Sequence, residues 1–422
     1  MEPDSRIFED LNWSFVEGRL GGAASIHALA CGSRAVLRRR EIKDGGQLLR
    51  LALAYAVSGS GLRSTAAWGA LALGVEMSDV ALMKRLRGSG DFLAAVCAQL
   101  LRLITGESGA SPRWQGMPVR LVDSSVFAGP GKAGGQLRLH ANYDPALGTF
   151  NNFDLSAISK GESLVHTGIE AGAIYLADRN YAKTKDLRTL EETGAFYVTR
   201  TGIRSMRMLD VKTSNRLTGN DILSALGTQD QAEIEVDLIE AKVRKAQRGR
   251  LLKARLLILK ASPAAHAREE ARIRRSRSRH GVTPNRETVS LAGTVMIITN
   301  LPADIWPAAM IADLYRVRWQ IELAFKSLKS VFRMREVPAK DPALARAWIL
   351  ANLAAALLTN LLASAIQRAV PPSNTRTGKP IPQHTPLQTA PVRTARHPRC
   401  HQHQPGQAPA SHDNQRHPKS NA

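Results

Sequence analysis

Tyr315, Arg318, Glu322 and Lys329 stand at spacings of 3, 4 and 7 in the stretch 314–329. At roughly 100° per residue, a helix would gather these four side chains within about 60° of one another. Leu314, Val317, Ile321, Ala324, Leu328 and Val331 fall on the opposite side, where a buried stripe is expected. One face would anchor the helix. The other would present a carboxylate, two cations and a phenol. A carboxylate flanked by cations suits a site that holds a metal ion and a phosphate together.

Phosphodiester cleavage by that chemistry is often run by two divalent ions, which favour carboxylate oxygens from several elements. Asp123 and Asp178 supply the partners. Each follows an apolar run with strand character, 117–122 and 173–177, and each is expected to end a strand. An Asp after a strand is more often a turn or helix-capping residue, so neither acid means much alone. Together with the stripe around Glu322 they make a candidate constellation.

The surrounding elements are expected as follows. Residues 1–106 read as a helical, DNA-binding domain, rich in Ala and Leu and broken at glycines. Within it, 64–73 and 78–87 look like two short helices around Gly74, with Ser78 as an N-cap. Lys84, Arg85 and Arg87 on the second are compatible with a DNA-binding helix-turn-helix, although any helical hairpin reads similarly. From 117 to 200 the pattern turns to strands. A hairpin is expected over 136–143 and 149–155, then a strand at 173–177, a helix at 184–193 and a strand at 195–199. This is a mixed α/β sheet with acids at the carboxyl ends of two strands, the edge where ligand chemistry usually sits. Residues 201–300 form a second, β-rich block, interrupted by an arginine-rich run at 266–279 that is either a DNA-facing or a solvated helix. Helices resume over 301–370.

The chain has 422 residues and a formal charge of +22, from 58 Lys+Arg against 36 Asp+Glu. Such a surplus points to a polyanionic partner, most simply double-stranded DNA. Cys31, Cys97 and Cys400 allow neither a disulfide framework nor a CxxC zinc pattern, which fits a reducing, cytoplasmic setting. The apolar stretch 348–370 is interrupted by Asn352, Thr359, Asn360, Ser364, Gln367 and Arg368, and reads as a buried or interface helix rather than a membrane span. Residues 371–422 hold seven Lys+Arg, one acid and six histidines among many Pro and Gln, and are expected to be a disordered basic tail.

Tyr-x2-Arg-x3-Glu-x6-Lys resembles the signature of the IS4 family of bacterial insertion-sequence transposases. LeuValAspSerSer (121–125) and LeuAlaAspArgAsnTyr (176–181) resemble its two aspartate motifs. The resemblance implies an α/β, RNase H-like catalytic core with a β-strand insertion, preceded by a helical N-terminal domain. It implies that Asp123, Asp178 and Glu322 bind two Mg²⁺ ions, with Mn²⁺ able to substitute, and that Tyr315, Arg318 and Lys329 contact DNA phosphates. The activity implied is cutting and joining of the element's inverted-repeat ends and target DNA by hydrolysis and transesterification, by a homodimer on nucleoid DNA. A catalytically inactive DNA-binding derivative is the alternative, and a nuclease that cleaves without joining is a third reading. Trp319 reads as a core residue that could also stack on a base. Trp306 lies after the 201–300 block, so the flipped-base role of the family's insertion tryptophan is not assigned to it. The composition after Val370 departs from the family pattern of continuing helices.

Overall fold

The computed structural model describes residues 13–38, 40–59, 61–107, 114–130, 136–239, 251–278, 289–332, 334 and 337–369. The tail 371–422 with Cys400, together with Arg39 and Arg279, lies outside them.

The helical part contains α1 (Gly22–Gly32), α2 (Gly45–Val57), α3 (Leu62–Leu73), α4 (Asp79–Arg87) and α5 (Gly90–Glu107). The Ser78 hydroxyl accepts from Ala81 N at 3.1 Å, so it caps α4 as expected. Gly74 ends α3 at φ 61°, a left-handed position that suits glycine. The glycines at 45–46 do not break a helix; they begin one. The Asp44 carboxylate caps α2, and Gly45 lets α1 and α2 touch, since a Cβ there would lie 2.5 Å from the Ile26 carbonyl oxygen.

Nine strands follow among the described residues: β1 (Val119–Ala128), β2 (Gln136–Asp144), β3 (Thr149–Ala157), β4 (Ile174–Ala177), β5 (Phe196–Thr201), β6 (Arg207–Asp210), β7 (Gln231–Ile239), β8 (Leu252–Lys260) and β9 (Thr294–Thr299). Between and after them come α6 (Thr184–Glu192), α7 (Gly219–Leu226), α8 (Pro263–Ser278), α9 (Ala308–Arg316), α10 (Trp319–Val331) and α11 (Pro342–Ala369). The strands make one sheet in the order β3-β2-β1-β4-β5-β9-β8-β7-β6. β1, β2 and β3 are antiparallel, while β4 and β5 run parallel to β1. This is the expected RNase H-like arrangement. The strands of 201–300 join the same sheet, because β9 pairs antiparallel with β5.

Alternation along the central strands fills two cores. Leu121, Leu176, Val198 and Ile297 face one, with α1–α5, α10 and α11. Val122, Tyr175, Tyr197 and Ile298 face the other, with α6 and α7. A period of two makes this division automatic once both faces are covered. α11 is apolar and long enough to cross a bilayer by length and composition alone, but over half of its apolar window is buried. Ile349, Leu353 and Leu357 lie in the first core, and the Cys97 thiol donates to the Leu350 carbonyl at 3.4 Å. The expected buried helix is therefore present.

Two expectations need correction. Asp123 does not end a strand; it lies within β1. β1 continues to Ala128 because β2 pairs with it along its length, whereas its parallel partner β4 stops at Ala177. Nor is 314–329 one helix. Val317 and Arg318 separate α9 from α10, and the bonds Val317 N to Leu314 O, Arg318 N to Tyr315 O and Gln320 N to Val317 O close over three residues rather than four. The backbone there is overwound, as in a 3₁₀ turn. Of the expected apolar stripe, Leu314, Ile321, Ala324 and Leu328 are buried and Val317 is half-buried. Val331, the last residue of α10, is 60 % exposed.

Candidate active site

Parallel pairing sets the two aspartates side by side. Val122, Ala177 and Thr199 are in register on β1, β4 and β5, so one residue further Asp123, Asp178 and Arg200 fall in line. Each is two residues beyond a member of the first core (Leu121, Leu176, Val198), so parity turns all three toward the side covered by α10. Asp178 keeps an extended backbone (φ −79°, ψ 173°) and opens the short 3₁₀ turn Arg179–Tyr181.

α10 packs on β1. Phe325 meets Phe150 with ring centroids 5.6 Å apart, and Lys329 Nζ lies 5.5 Å from the centre of the Phe127 ring. That packing aims the first turn of α10, with Glu322, at the aspartates. Arg318 connects the parts. Its Nη2 donates to Glu322 Oε1 at 2.5 Å, and its guanidinium carbon lies 5.8 Å from the Tyr315 ring centre. The Tyr315 hydroxyl is buried beside that guanidinium, and burial raises its pKa to about 12. Tyr315, Arg318 and Glu322 thus stay neighbours despite the break in the helix.

Asp123 is the electrostatic centre. Burial raises its carboxyl from 3.8 to about 6, while its bond from Ser124 N (2.8 Å) and the Arg318 charge pull the other way. Glu322 and Glu162 add repulsion. Glu162 escaped the sequence reading, because it sits in the loop after β3 with no pattern to mark it. Arg138 Nη1 on β2 donates to it at 2.6 Å, and the Ser124 hydroxyl at 3.0 Å. Arg200 also escaped notice; only the register makes it a neighbour of Asp178.

In kind, the residues fit a divalent metal ion: three carboxylates from three elements, one of them half-buried with no cation hydrogen-bonded to it among the described residues. In position they are not yet gathered. Among the described residues, no three His, Cys, Asp or Glu side chains stand close enough to hold one ion. Glu322 is turned onto Arg318 instead.

The basic segments also find partners. Arg85 and Arg87 of α4 approach Glu41 and Asp341 at 3.8 and 3.2 Å, leaving Lys84 exposed. In α8, Arg272 and Arg274 pair with Glu269 and Glu270 of the same helix. Trp319 is 54 % exposed, not a core residue; two positions before buried Ile321, it falls on the opposite face of a helix. Trp306 is fully buried.

Residues 114–358 match the family described as Transposase DDE domain. The chain is 36 % identical over 349 residues to the transposase for insertion sequence element IS421 of Escherichia coli, covering 82 % of this chain and 92 % of that protein. The InsL protein of insertion sequence element IS186A, from Escherichia coli strain K12, is 36 % identical over 348 residues with the same coverage. The transposase for insertion sequence element IS231D of Bacillus thuringiensis subsp. finitimus is 24 % identical over 296 residues, 63 % of this chain and 61 % of its own.

Proposed function

This chain belongs to the DDE transposase family, and from that premise we propose that Asp123, Asp178 and Glu322 are its metal-binding acids, with Tyr315, Arg318 and Lys329 on the DNA phosphates. The protein is a transposase of an insertion sequence, an enzyme acting on DNA, and its domain type works with divalent metal. We take the ions to be two Mg²⁺.

The observation that supports this reading is the parallel register of Val122 with Ala177, since Asp123 and Asp178 each follow by one residue, with the Arg318 and Glu322 charges acting on Asp123. When bound, the metal would sharpen the attacking oxygen and neutralise charge on the phosphate. The chain's own residues do the rest. Arg318 offers a planar fork for one phosphate, and Lys329 a point charge steadied on the Phe127 ring. Tyr315 gives its buried hydroxyl to the same oxygens. The cover over Asp123 limits water there and keeps its carboxylate in need of a cation. Exposed Trp319, next to Arg318, is free to stack on an unpaired base. Both strands at the two element ends have to be processed together, so we place the working form as a homodimer on DNA in the bacterial cytoplasm. We also take 1–106 as the DNA-binding domain, 117–200 and 301–370 as the two parts of the core, and 201–300 as its insertion.

The test is cleavage of a duplex carrying the element's own inverted repeat, with Mg²⁺, by the wild type and by Asp123→Asn. Cutting by the wild type and uncut but bound DNA with the variant are expected. Equal cutting by both would overturn the assignment. A second reading, binding without catalysis, is favoured by the Arg318–Glu322 pair that holds the third acid away from the other two. Metal-dependent nicking by the wild type would eliminate it.

A further inference from the structure

A second concentration of positive charge lies just past Asp178. A cavity of about 110 Å³ opens between the end of β5, the Arg179–Tyr181 turn, α8 and the start of β9. Four arginines line it (Arg179, Arg200, Arg204 and Arg272) against one acid, Glu269. It is well below the roughly 300 Å³ at which pockets for drug-sized ligands begin. A base would be crowded there, whereas a single oxyanion group would not.

Three details indicate a site built for an anion. The Glu269 carboxylate accepts from Arg272 Nε at 2.7 Å and Nη2 at 2.6 Å, the two-pronged contact that a phosphate also makes with arginine. Thr201 is 3 % exposed, lines the cavity and has a hydroxyl with no hydrogen-bond partner. Such a group is costly to bury unless something else completes it. Gly202 leaves room for the Arg179 guanidinium against the backbone, and a Cβ at that position would collide with it.

We propose that this cavity receives one phosphate of a DNA strand, and that Glu269 occupies the place of that phosphate until DNA displaces it. The proposal rests on the reading that DNA lies across Asp123 and Asp178. Arg179 follows Asp178 directly and Arg200 is level with it in the sheet, so a strand leaving the carboxylates passes the mouth of the cavity. Arg179, Arg200 and Arg272 all favour an ionised Glu269. The carboxylate keeps the arginines from repelling one another in the free protein, and yields to a phosphate that carries a charge of its own and more acceptor oxygens.

The test uses the full-length, metal-free protein, a short fluorescent duplex followed by anisotropy over a salt series, and inorganic phosphate followed by calorimetry. Glu269→Gln is expected to bind the duplex about fivefold more tightly with the salt slope unchanged, since the same phosphate enters the cavity in both proteins but no longer has to displace a carboxylate. Thr201→Val, an uncharged change of similar volume, is expected to weaken binding about threefold with the slope unchanged. Gly202→Ala is expected to weaken binding and make the slope shallower by dislodging Arg179. Circular dichroism verifies that each variant is folded. Unchanged affinity in folded Glu269→Gln would overturn the proposal. So would tighter binding of inorganic phosphate without tighter binding of the duplex, which would assign the cavity to a small free anion. These outcomes are separate from cleavage by Asp123→Asn, so either reading can fail alone.

Discussion

Arg318 donates to Glu322 across one turn at 2.5 Å, so a cation suited to phosphate and a carboxylate suited to metal neutralise each other in the free protein. Arg318 is mostly buried and Glu322 more than half exposed. The carboxylate is therefore the mobile member. DNA arriving at Arg318 would release Glu322 toward the aspartates, which would couple substrate binding to completion of the acidic site.

That coupling sets a sign for Arg318→Ala. Removing the guanidinium frees Glu322, so divalent metal should bind more tightly without DNA, by about three- to tenfold for the loss of one partly screened charge pair. DNA binding should weaken, with a salt slope shallower by about one. Titration with Mn²⁺ followed by paramagnetic resonance reads the first effect and anisotropy the second. Weaker metal binding in the variant would mean that Arg318 supports the metal site rather than restraining it.

Lys329→Ala removes a charge that is not bonded to Glu322. It should reduce DNA affinity and salt slope as Arg318→Ala does, yet leave the Mn²⁺ titration unchanged. A change in metal affinity would contradict the division of roles between the two cations.

Two titrations oppose each other in acid. Asp123 has a folded pKa of about 6 against an ordinary 3.8. The folded state therefore holds more protons between those values, and this contribution to stability is lost as pH rises through 6. His140 behaves in the reverse sense. It is 1 % exposed, bonded to the Ser156 hydroxyl at 3.1 Å and packed edge-on against His166. Burial lowers its pKa from 6.5 to about 4, with His166 adding to the effect. Its stability is present above 6.5 and lost as pH falls toward 4. At roughly 1.4 kcal/mol per pKa unit, Asp123 is worth at most about 3 kcal/mol and His140 at most about 3.5. Urea unfolding of Asp123→Asn at pH 7 and pH 4.5 should expose acid destabilisation that the wild type partly masks. The variant should also be about 1–2 kcal/mol more stable than the wild type at pH 7 without metal. Equal pH dependence in the two proteins would refute the Asp123 shift.

Arg120 closes the base of the same strand. It reaches Asp144 at 2.6 Å and Glu170 at 2.8 Å, and both Arg120 and Asp144 are buried. Arg120→Met would keep volume and strand character but leave a buried carboxylate without its cation. A loss of about 3–5 kcal/mol is expected by denaturant unfolding. A loss below about 1 kcal/mol would show that the backbone bonds from Ala146 and Leu147 suffice for Asp144.

Much of this protein was legible in its sequence, for local reasons. Apolar periodicity marked the strands and the buried face around Ile321 and Leu328, because burial acts on each residue through the period of its own element. Ser78 announced the start of α4, because capping is a contact over three residues. The spacing of Tyr315, Arg318 and Glu322 brought them together even though the helix broke at 317–318, since an overwound turn still places residues three and four apart on one side. Only the tertiary structure decided what depends on pairing between distant segments. β2 carries β1 beyond Asp123, and the register of β1, β4 and β5 aligns Asp123, Asp178 and Arg200. Folding of the loop after β3 brings Glu162 against Ser124, and α8 brings Glu269 and Arg272 to the cavity beside Arg179. No window of the chain contains these relationships. Strand order and register are chosen by the whole sheet, through the free energy of covering both of its faces.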